Sequence, residues 1–262
     1  ETMSMKNLVS FFHKNTSLNK FNTFLLQKRI NSVLESRKFI EKSQYPDEIY
    51  LEETKRIPLY EVNNLCNANL FECLIKRRSN SKLPKIRKEL TFENFSKILK
   101  FAFGVSNVIH DYKSGNMEYQ YTFPTEGGLN TIEVYIIVNF VENLKPGVYL
   151  YDPYKHSLVT IENRFNLSKY YDITGLVNQA KNSFFSVYYV GNGNFSFKKY
   201  GARSYRFMNI EAGHCSQNLY LVTTALGLEC AASGAFFDDD FFDFLKIPSK
   251  NRFLLYENFV GD

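Results

Sequence analysis

The chain has no tryptophan, no Cys-x-x-Cys pair and no glycine-rich phosphate signature in its 262 residues. Its four cysteines (Cys66, Cys73, Cys215, Cys230) are scattered. None of the four histidines (His13, His110, His156, His214) shows ligand spacing, so no metal site is expected. The cysteines read as reduced and mostly buried. No GxGxxG follows a strand-like run and neither GxxxxGKS nor GxxxxGKT occurs, which excludes Rossmann and P-loop readings. The GxSxG elbow of a serine hydrolase is missing as well. No stretch approaches the roughly 18 apolar residues of a membrane span, and no secretory apolar core is present. The chain therefore reads as cytoplasmic, without a membrane partner. Charge is thin and dispersed: 32 basic against 27 acidic residues leave a net +5, no footprint for nucleic acid.

What remains is ordinary globular composition, 44% hydrophobic and 23% charged, with 25 Phe and 18 Tyr. The length suits one large core with an appendage. Residues 1–65 read as that appendage, helical then extended. Phe21, Phe24, Leu25, Ile30, Val33, Leu34, Phe39 and Ile40 recur at helical spacing, and Ile49-Tyr50-Leu51 reads as a short strand between Pro46 and Pro58. The main body spans 66–262. Helices are expected over 68–76, over 91–103 (Thr91 capping, Gly104 stopping), near 167–181, over 206–226 and over 238–245. The stripe of the 206–226 helix is Phe207, Ile210, Cys215, Leu219, Val222 and Leu226. Strands are expected over 132–138, 148–151, 184–190, 228–232 and 253–260, with 105–123 irregular and Gly191-Asn192-Gly193-Asn194 a break. Helices and strands mix without βαβ order, so the class is α+β.

Four segments offer chemistry. Lys199 and Tyr200, in KYGARSYRFMNIEAG, put an amine and a phenol side by side just ahead of the longest helix. Arg203 and Arg206 are positive neighbours in sequence able to lower the lysine pKa. Arg77-Arg78-Ser79 after a helix combines a guanidinium fork, a hydroxyl and chain amides, the equipment of a phosphate site. Gly127-Gly128, in PTEGGLNTIEVY, lets backbone N–H groups approach a flat or anionic ligand. Ser233-Gly234, in SGAFFDDD, offers a second such approach.

In this order the segments RRS, LTFENFSKILKFAFG, PTEGGLNTIEVYIIV, GVYLYDP, KYGARSYRFMNIEAGH, QNLYLVTTALGL and SGAFFDDD resemble the SagB/McbC-type azoline dehydrogenases of the FMN nitroreductase superfamily. The resemblance runs from about residue 70 to the end of the chain. Of a family pattern close to PSAGGLYPxEVY the chain keeps Pro124, Gly127, Gly128, Leu129, Glu133, Val134 and Tyr135, and departs at Thr125-Glu126 and Asn130-Thr131. The resemblance implies a nitroreductase-like, mostly antiparallel central sheet flanked by helices. It implies FMN bound non-covalently at a homodimer interface. It also implies a place beside a YcaO-type cyclodehydratase acting on a precursor peptide.

The reaction so implied oxidises a peptide thiazoline or oxazoline to the azole, with Lys199 and Tyr200 as the catalytic pair. Arg77 and Ser79 match the superfamily's phosphate pattern, with Arg78 beside them. Its third place falls on Ser81, with Lys82 next. Thr125, Gly127 and Gly128 fall in the flavin-contacting glycine segment, and Ser233 and Gly234 fall on the element whose amides approach flavin N5. Two other readings stay open: an NAD(P)H-dependent nitro- or quinone reductase, and a flavin-binding scaffold subunit without turnover.

Overall fold

The computed structural model describes residues 5–36, 56–62, 67–80, 82–111, 116–162 and 166–262. The strand expected at 49–51, Phe39, Ile40, Cys66 and the candidate site residue Ser81 lie outside the described residues.

Among the described residues the chain builds a seven-stranded sheet in which every pairing is antiparallel. In chain order its strands are β1 (Arg56–Pro58), β4 (Ile132–Val138), β5 (Gly147–Asp152), β6 (Ser157–Glu162), β7 (Phe185–Asn192), β8 (Glu229–Ser233) and β9 (Arg252–Gly261). Across the sheet the order is β1-β6-β5-β4-β7-β9-β8. A separate hairpin pairs β2 (Val105–Asp111) with β3 (Asn116–Tyr121).

The centre of the sheet is buried on both faces. In β4, Ile132, Val134, Ile136 and Val138 join one apolar cluster while Tyr135 and Ile137 join the other. In β7, Phe185, Val187 and Tyr189 alternate in the same way with Tyr188 and Val190. A strand covered on both sides has no polar face, which is why these runs are continuously apolar. Each fully buried aliphatic side chain contributes about 1.5–3 kcal/mol.

One face is covered by α4 (Phe92–Phe103) and the long α8 (Ser204–Ala225), the other by α5 (Leu167–Asp172), α6 (Val177–Lys181) and α9 (Asp238–Leu245). Thr91 caps α4 as expected, accepting the Asn94 N–H at 3.2 Å. Helix α8 buries Met208, Ala212, Cys215, Leu219 and Thr223, the three-and-four spacing of one helical face. Ile210, expected in that stripe, is 52% exposed, because it lies two positions from Met208 and turns away from the sheet.

Several expectations are corrected. The 105–123 segment is a hairpin; residues 106–110 are exposed, so no alternating apolar face marked it. Strand β6, after the turn that begins at Asp152-Pro153, was missed. The helix near 167–181 is two short helices, parted where the Gly175 N–H reaches the Ala235 carbonyl. The Gly191–Asn194 run ends β7 but also starts an unexpected helix, α7 (Gly193–Tyr200). Asn192 caps it, its side-chain oxygen accepting the Asn194 N–H at 3.0 Å.

At the N-terminus, α1 (Met5–Thr16) and α2 (Lys20–Leu34) lie against the corner between α7 and α8. The Arg203 and Arg206 guanidinium groups donate to the last carbonyls of α1, Thr16 O at 2.7 Å and His13 O at 2.6 Å. Cations there complete orphan carbonyls and oppose the negative helix end. Phe12 packs edge-on to Tyr205. Cys73, Cys215 and Cys230 are free and buried, as the sequence reading held. A short helix, α3 (Leu70–Lys76), precedes the arginine pair.

Candidate active site

Lys199 and Tyr200 stand just ahead of the long helix as expected, and there they close the last turn of the added helix α7. Gly201, at φ +61°, ends the helix where a side chain would be strained, and three 3-10 residues (Gly201–Arg203) lead into α8. The pair therefore sits at the outside of a tight helix-to-helix corner. A cleft of about 370 Å³ lies beside it, lined by Asn15, Thr16, Arg29, Tyr200, Gly201 and Arg203 among others.

The glycine segment meets this corner. Glu126 to Leu129 forms a turn in which the Leu129 N–H reaches the Glu126 carbonyl at 3.0 Å. Gly127 and Gly128 between them have φ +54° and +79°, a pair of signs that favours glycine at both central positions. Lys199 Nζ donates to the Gly127 carbonyl at 3.0 Å and lies 5.0 Å from the centroid of the Tyr200 ring. A Cβ at Gly127 would fall 1.9 Å from the Tyr200 hydroxyl, whereas one at Gly128 would meet open space. The turn and the Lys–Tyr pair are thus fitted to each other. Gly127→Ala should cost about 1–3 kcal/mol for the non-glycine backbone and also displace the Tyr200 hydroxyl. Gly128→Ala should carry the backbone cost alone. Urea unfolding of both variants checks this; equal losses would mean the Tyr200 contact contributes nothing.

A buried acid pair lies directly underneath. The Glu126 backbone N–H and the Thr131 hydroxyl both donate to the Glu211 carboxylate. Ser204 Oγ donates to Glu126 Oε1 at 2.9 Å, and Glu126 Oε2 has no hydrogen-bond partner among the described residues. Burial pushes Glu126 up to about 8, Ser204 opposing and the Glu211 charge assisting. Burial pushes Glu211 up to about 7, against its hydrogen bonds from Thr131 and Glu126.

Lys199, 6% exposed, is lowered by burial, while the charge of Glu126 opposes the shift. This corrects the expected cause: Arg203 and Arg206 turn away to α1, and desolvation does the lowering. Burial and the two carboxylates raise the Tyr200 phenol to about 12.

Sequence reasoning missed Glu126, Ser204 and Glu211. Glu211 carried a signal: it lies three residues after Met208 and four before Cys215, an acid on the buried face of α8. Glu133, buried at the start of β4, was noted only as part of a pattern. It holds Arg252 Nε at 2.9 Å, Asn192 Nδ2 at 2.7 Å and the Tyr135 hydroxyl at 3.1 Å, tying the glycine turn's outgoing strand to β7 and β9.

The remaining candidates gather elsewhere. Arg77 stacks over the Tyr220 ring at 5.2 Å, and the Tyr220 hydroxyl donates to Ser79 Oγ at 2.8 Å. The Asn80 N–H reaches the Cys230 carbonyl at 3.0 Å, joining the loop to β8. Arg78 instead folds back onto the carbonyls of Ile75 and Arg77, at 2.6 and 2.8 Å. Ser233 Oγ accepts the Ala235 N–H at 2.8 Å at the end of β8, and Gly234 is exposed with open space above it. Thr125 is half-buried beside the acid pair, and Lys82 is exposed.

Tyr220 stands nine residues along α8 from Glu211, about 13 Å at helical rise. The arginine loop and the Lys–Tyr corner are therefore two separate clusters of one chain, attached to one helix. Arg77 forms no ion pair among the described residues, and with Ser79 beside it the loop has the donor set of an anion site. No group of residues suited to a metal ion occurs among the described residues. None of the helices described is long and apolar enough to cross a membrane.

An all-antiparallel sheet with helices on both faces and a basic loop tied to its long helix makes an α+β fold. Residues 74–258 match the model of the nitroreductase family, and the chain belongs to that family. It is 30% identical over 208 residues to a nitroreductase-family protein of Methanocaldococcus jannaschii, covering 78% of this chain and 96% of the relative. It is 24% identical over 180 residues to the trifolitoxin-processing protein TfxB of Rhizobium leguminosarum bv. trifolii, covering 66% of this chain and 48% of that protein. Among solved structures, a nitroreductase-family protein of Ralstonia eutropha superposes with a TM-score of 0.62 at 20% identity, over 79% of this chain and 89% of that one. The Escherichia coli microcin synthetase McbBCD complex with truncated pro-MccB17 bound includes a chain matching at TM-score 0.56 and 20% identity, over 85% and 86%. The protein is a nitroreductase-family oxidoreductase with the nitroreductase-like fold.

Proposed function

We propose that the protein is a SagB/McbC-type azoline dehydrogenase that oxidises peptide thiazolines or oxazolines to thiazoles or oxazoles. The observation that carries this reading is Lys199. It is a buried amine, lowered by desolvation, held on the Gly127 carbonyl with a phenol beside it. A reductase supplied with electrons by NAD(P)H has no use for a substrate base, whereas aromatising an azoline requires one. The names of two relatives point the same way, a trifolitoxin-processing protein and a microcin synthetase complex.

The residues present fit FMN. Arg77 and Ser79 would hold its phosphate, and the open space at Gly128 and Gly234 leaves room for a flat ring over main-chain amides. FMN, when bound, supplies the two-electron oxidant that takes hydride from the ring. The chain's own part is proton handling. The Lys199 amine takes the proton from the ring carbon, and Tyr200 orients the ring from its place against Gly127. Partial burial of the corner keeps water from competing for that amine.

The Lys–Tyr corner and the arginine loop stand apart on α8, so one complete site draws on two chains if the protein is a homodimer. The apolar residues Leu70, Phe71, Leu74 and Ile75 of α3, all exposed, support such an interface next to Arg77. Light scattering should give twice the chain mass, and a monomer that retains flavin would sink the two-chain site. The partners proposed beyond a second copy are a YcaO-type cyclodehydratase and the precursor peptide on which it acts. The function itself is tested by treating a Cys/Ser/Thr-rich precursor peptide with such a cyclodehydratase, then with this protein and FMN. Mass spectrometry should show one water lost per ring in the first step and two further hydrogens in the second. Nitroaromatic reduction with NAD(P)H and no loss of hydrogen from azolines would instead favour the reductase reading.

A further inference from the structure

The acid pair beneath Lys199 has no part in the proposed chemistry so far, and it is built with unusual care. Glu126 and Glu211 are 6% and 2% exposed, and the backbone N–H of the first donates to the carboxylate of the second. The groups facing them are Lys199 and Tyr200 of α7, Ser204 and Cys215 of α8, Thr131 ahead of β4 and Tyr121 of β3. Lys199 alone among these can carry positive charge. Two buried carboxylates beside one amine cannot all be ionised at low cost, so at least one proton stays within the group.

Glu211 is the better furnished for charge, accepting from a backbone N–H and a hydroxyl. Glu126 is the poorer, with one hydroxyl donor and a second oxygen left unpartnered. Lys199 makes no ion pair with it; the amine is held by the neighbouring carbonyl of Gly127 instead.

We infer that Glu126 is the resting home of a proton shared with Lys199, so that Lys199 meets the substrate as a free amine. The inference rests on the dehydrogenase reading and assigns Glu126 a positioning role that acts through Lys199. In the resting state Glu126 is the neutral acid and Lys199 the neutral amine. The substrate ring gives its proton to the Lys199 amine, while FMN, held by Arg77 and Ser79, would supply the acceptor for its hydride. Glu126 then releases its own proton to solvent and becomes the counter-charge of the new ammonium. Transfer of a proton from ammonium to carboxylate, through one water or a side-chain rotation, restores the starting pair. One proton has left the site and two electrons have left the ring. The upward shift of Glu126 and the downward shift of Lys199 agree with this distribution.

Glu126→Gln keeps the shape and the Ser204 contact but can neither store nor release a proton. Infrared spectra of the full-length protein at pH 7 should contain a protonated-carboxyl stretch that this variant loses. Competitive acetylation of Lys199 by acetic anhydride, read by peptide mass spectrometry across pH, should give nearly the same half-point in the variant and the wild type, because Glu126 is already uncharged where Lys199 titrates. A half-point lower in the variant by on the order of one pH unit would mean that an ionised Glu126 faces an ammonium at rest. Ser204→Ala, which strips a hydrogen bond from the carboxylate form, should keep the same stretch to higher pH. An unchanged stretch, or a labelling half-point well below that of the wild type, in Glu126→Gln would overturn the inference. If that variant does not fold, an unmoved stretch in Ser204→Ala would do so. Neither measurement needs peptide or flavin. Absence of azole formation by the wild type would therefore count against the dehydrogenase reading, and these two arms would still decide on Glu126.

Discussion

Lys199→Ala should stop azoline oxidation while leaving fold and flavin in place. Removal of a general base slows a reaction by about 10²–10⁴-fold. The structure adds a reason for the upper end. Among the described residues Lys199 is the only amine on the Gly127 carbonyl, and the neighbouring phenol is raised to about 12, so it cannot take over as base near neutral pH. The side chain carries one hydrogen bond to a main-chain carbonyl and little of the sheet's packing, so its loss should leave unfolding nearly unchanged. Peptides treated with cyclodehydratase and this variant should accumulate as azolines, each short of one water but retaining both ring hydrogens. Tyr200→Phe should lose less, because the ring stays against Phe207 and only the hydroxyl goes. Azole formation by Lys199→Ala at near wild-type rate would place the base elsewhere and end the mechanism proposed for this corner.

Arg77→Ala should release flavin. A charge-assisted hydrogen bond to a phosphate is worth about 1.5–3 kcal/mol, so retention should weaken by roughly 10- to 150-fold. The guanidinium stacks on Tyr220, which in turn bonds Ser79, so the substitution also loosens the second phosphate donor. Arg78→Ala should matter less, since that guanidinium is spent on the carbonyls of Ile75 and Arg77. Flavin absorbance after gel filtration measures all three proteins. The decisive contrast is with Lys199→Ala, expected to stay yellow. If Lys199→Ala emerges colourless and Arg77→Ala retains its flavin, the two clusters have been given each other's roles.

The central strands were legible because β4 and β7 are buried on both faces and therefore read as unbroken apolar runs. Helix α4 was legible because its cap, Thr91, and its apolar face are both local signals. The β2–β3 hairpin was not, since its exposed residues face solvent and no pattern of burial is impressed on them. Helix α7 hid for a different reason. A Gly-Asn-Gly-Asn string is written in turn residues, and only the geometry reveals that Asn192 spends its side chain on capping.

The Lys–Tyr pair and its glycine turn could be named from sequence but not joined: 72 residues separate Lys199 from Gly127, and their contact is a product of topology. The acid pair was harder still. A glutamate in a polar segment looks like solvent-facing charge until the helix above it is in place, and Glu126 becomes buried only through α8.

Three carboxyls inside this fold make protons a ligand of the native state. Glu126 is raised to about 8, Glu211 to about 7 and Glu257, on β9 opposite Ser233, to about 7, all chiefly by burial, against 4.5 for the free side chain. Each binds its proton more tightly in the folded chain than in the unfolded one. Their contribution to stability is complete below pH 4.5 and fades as pH rises through 7 to 8. His156 pulls the other way: burial lowers it from 6.5 to about 4, so its contribution holds above 6.5 and is lost as pH falls toward 4. The chain takes up protons as it folds in neutral solution, and mild acid tightens the same core that the site is built on.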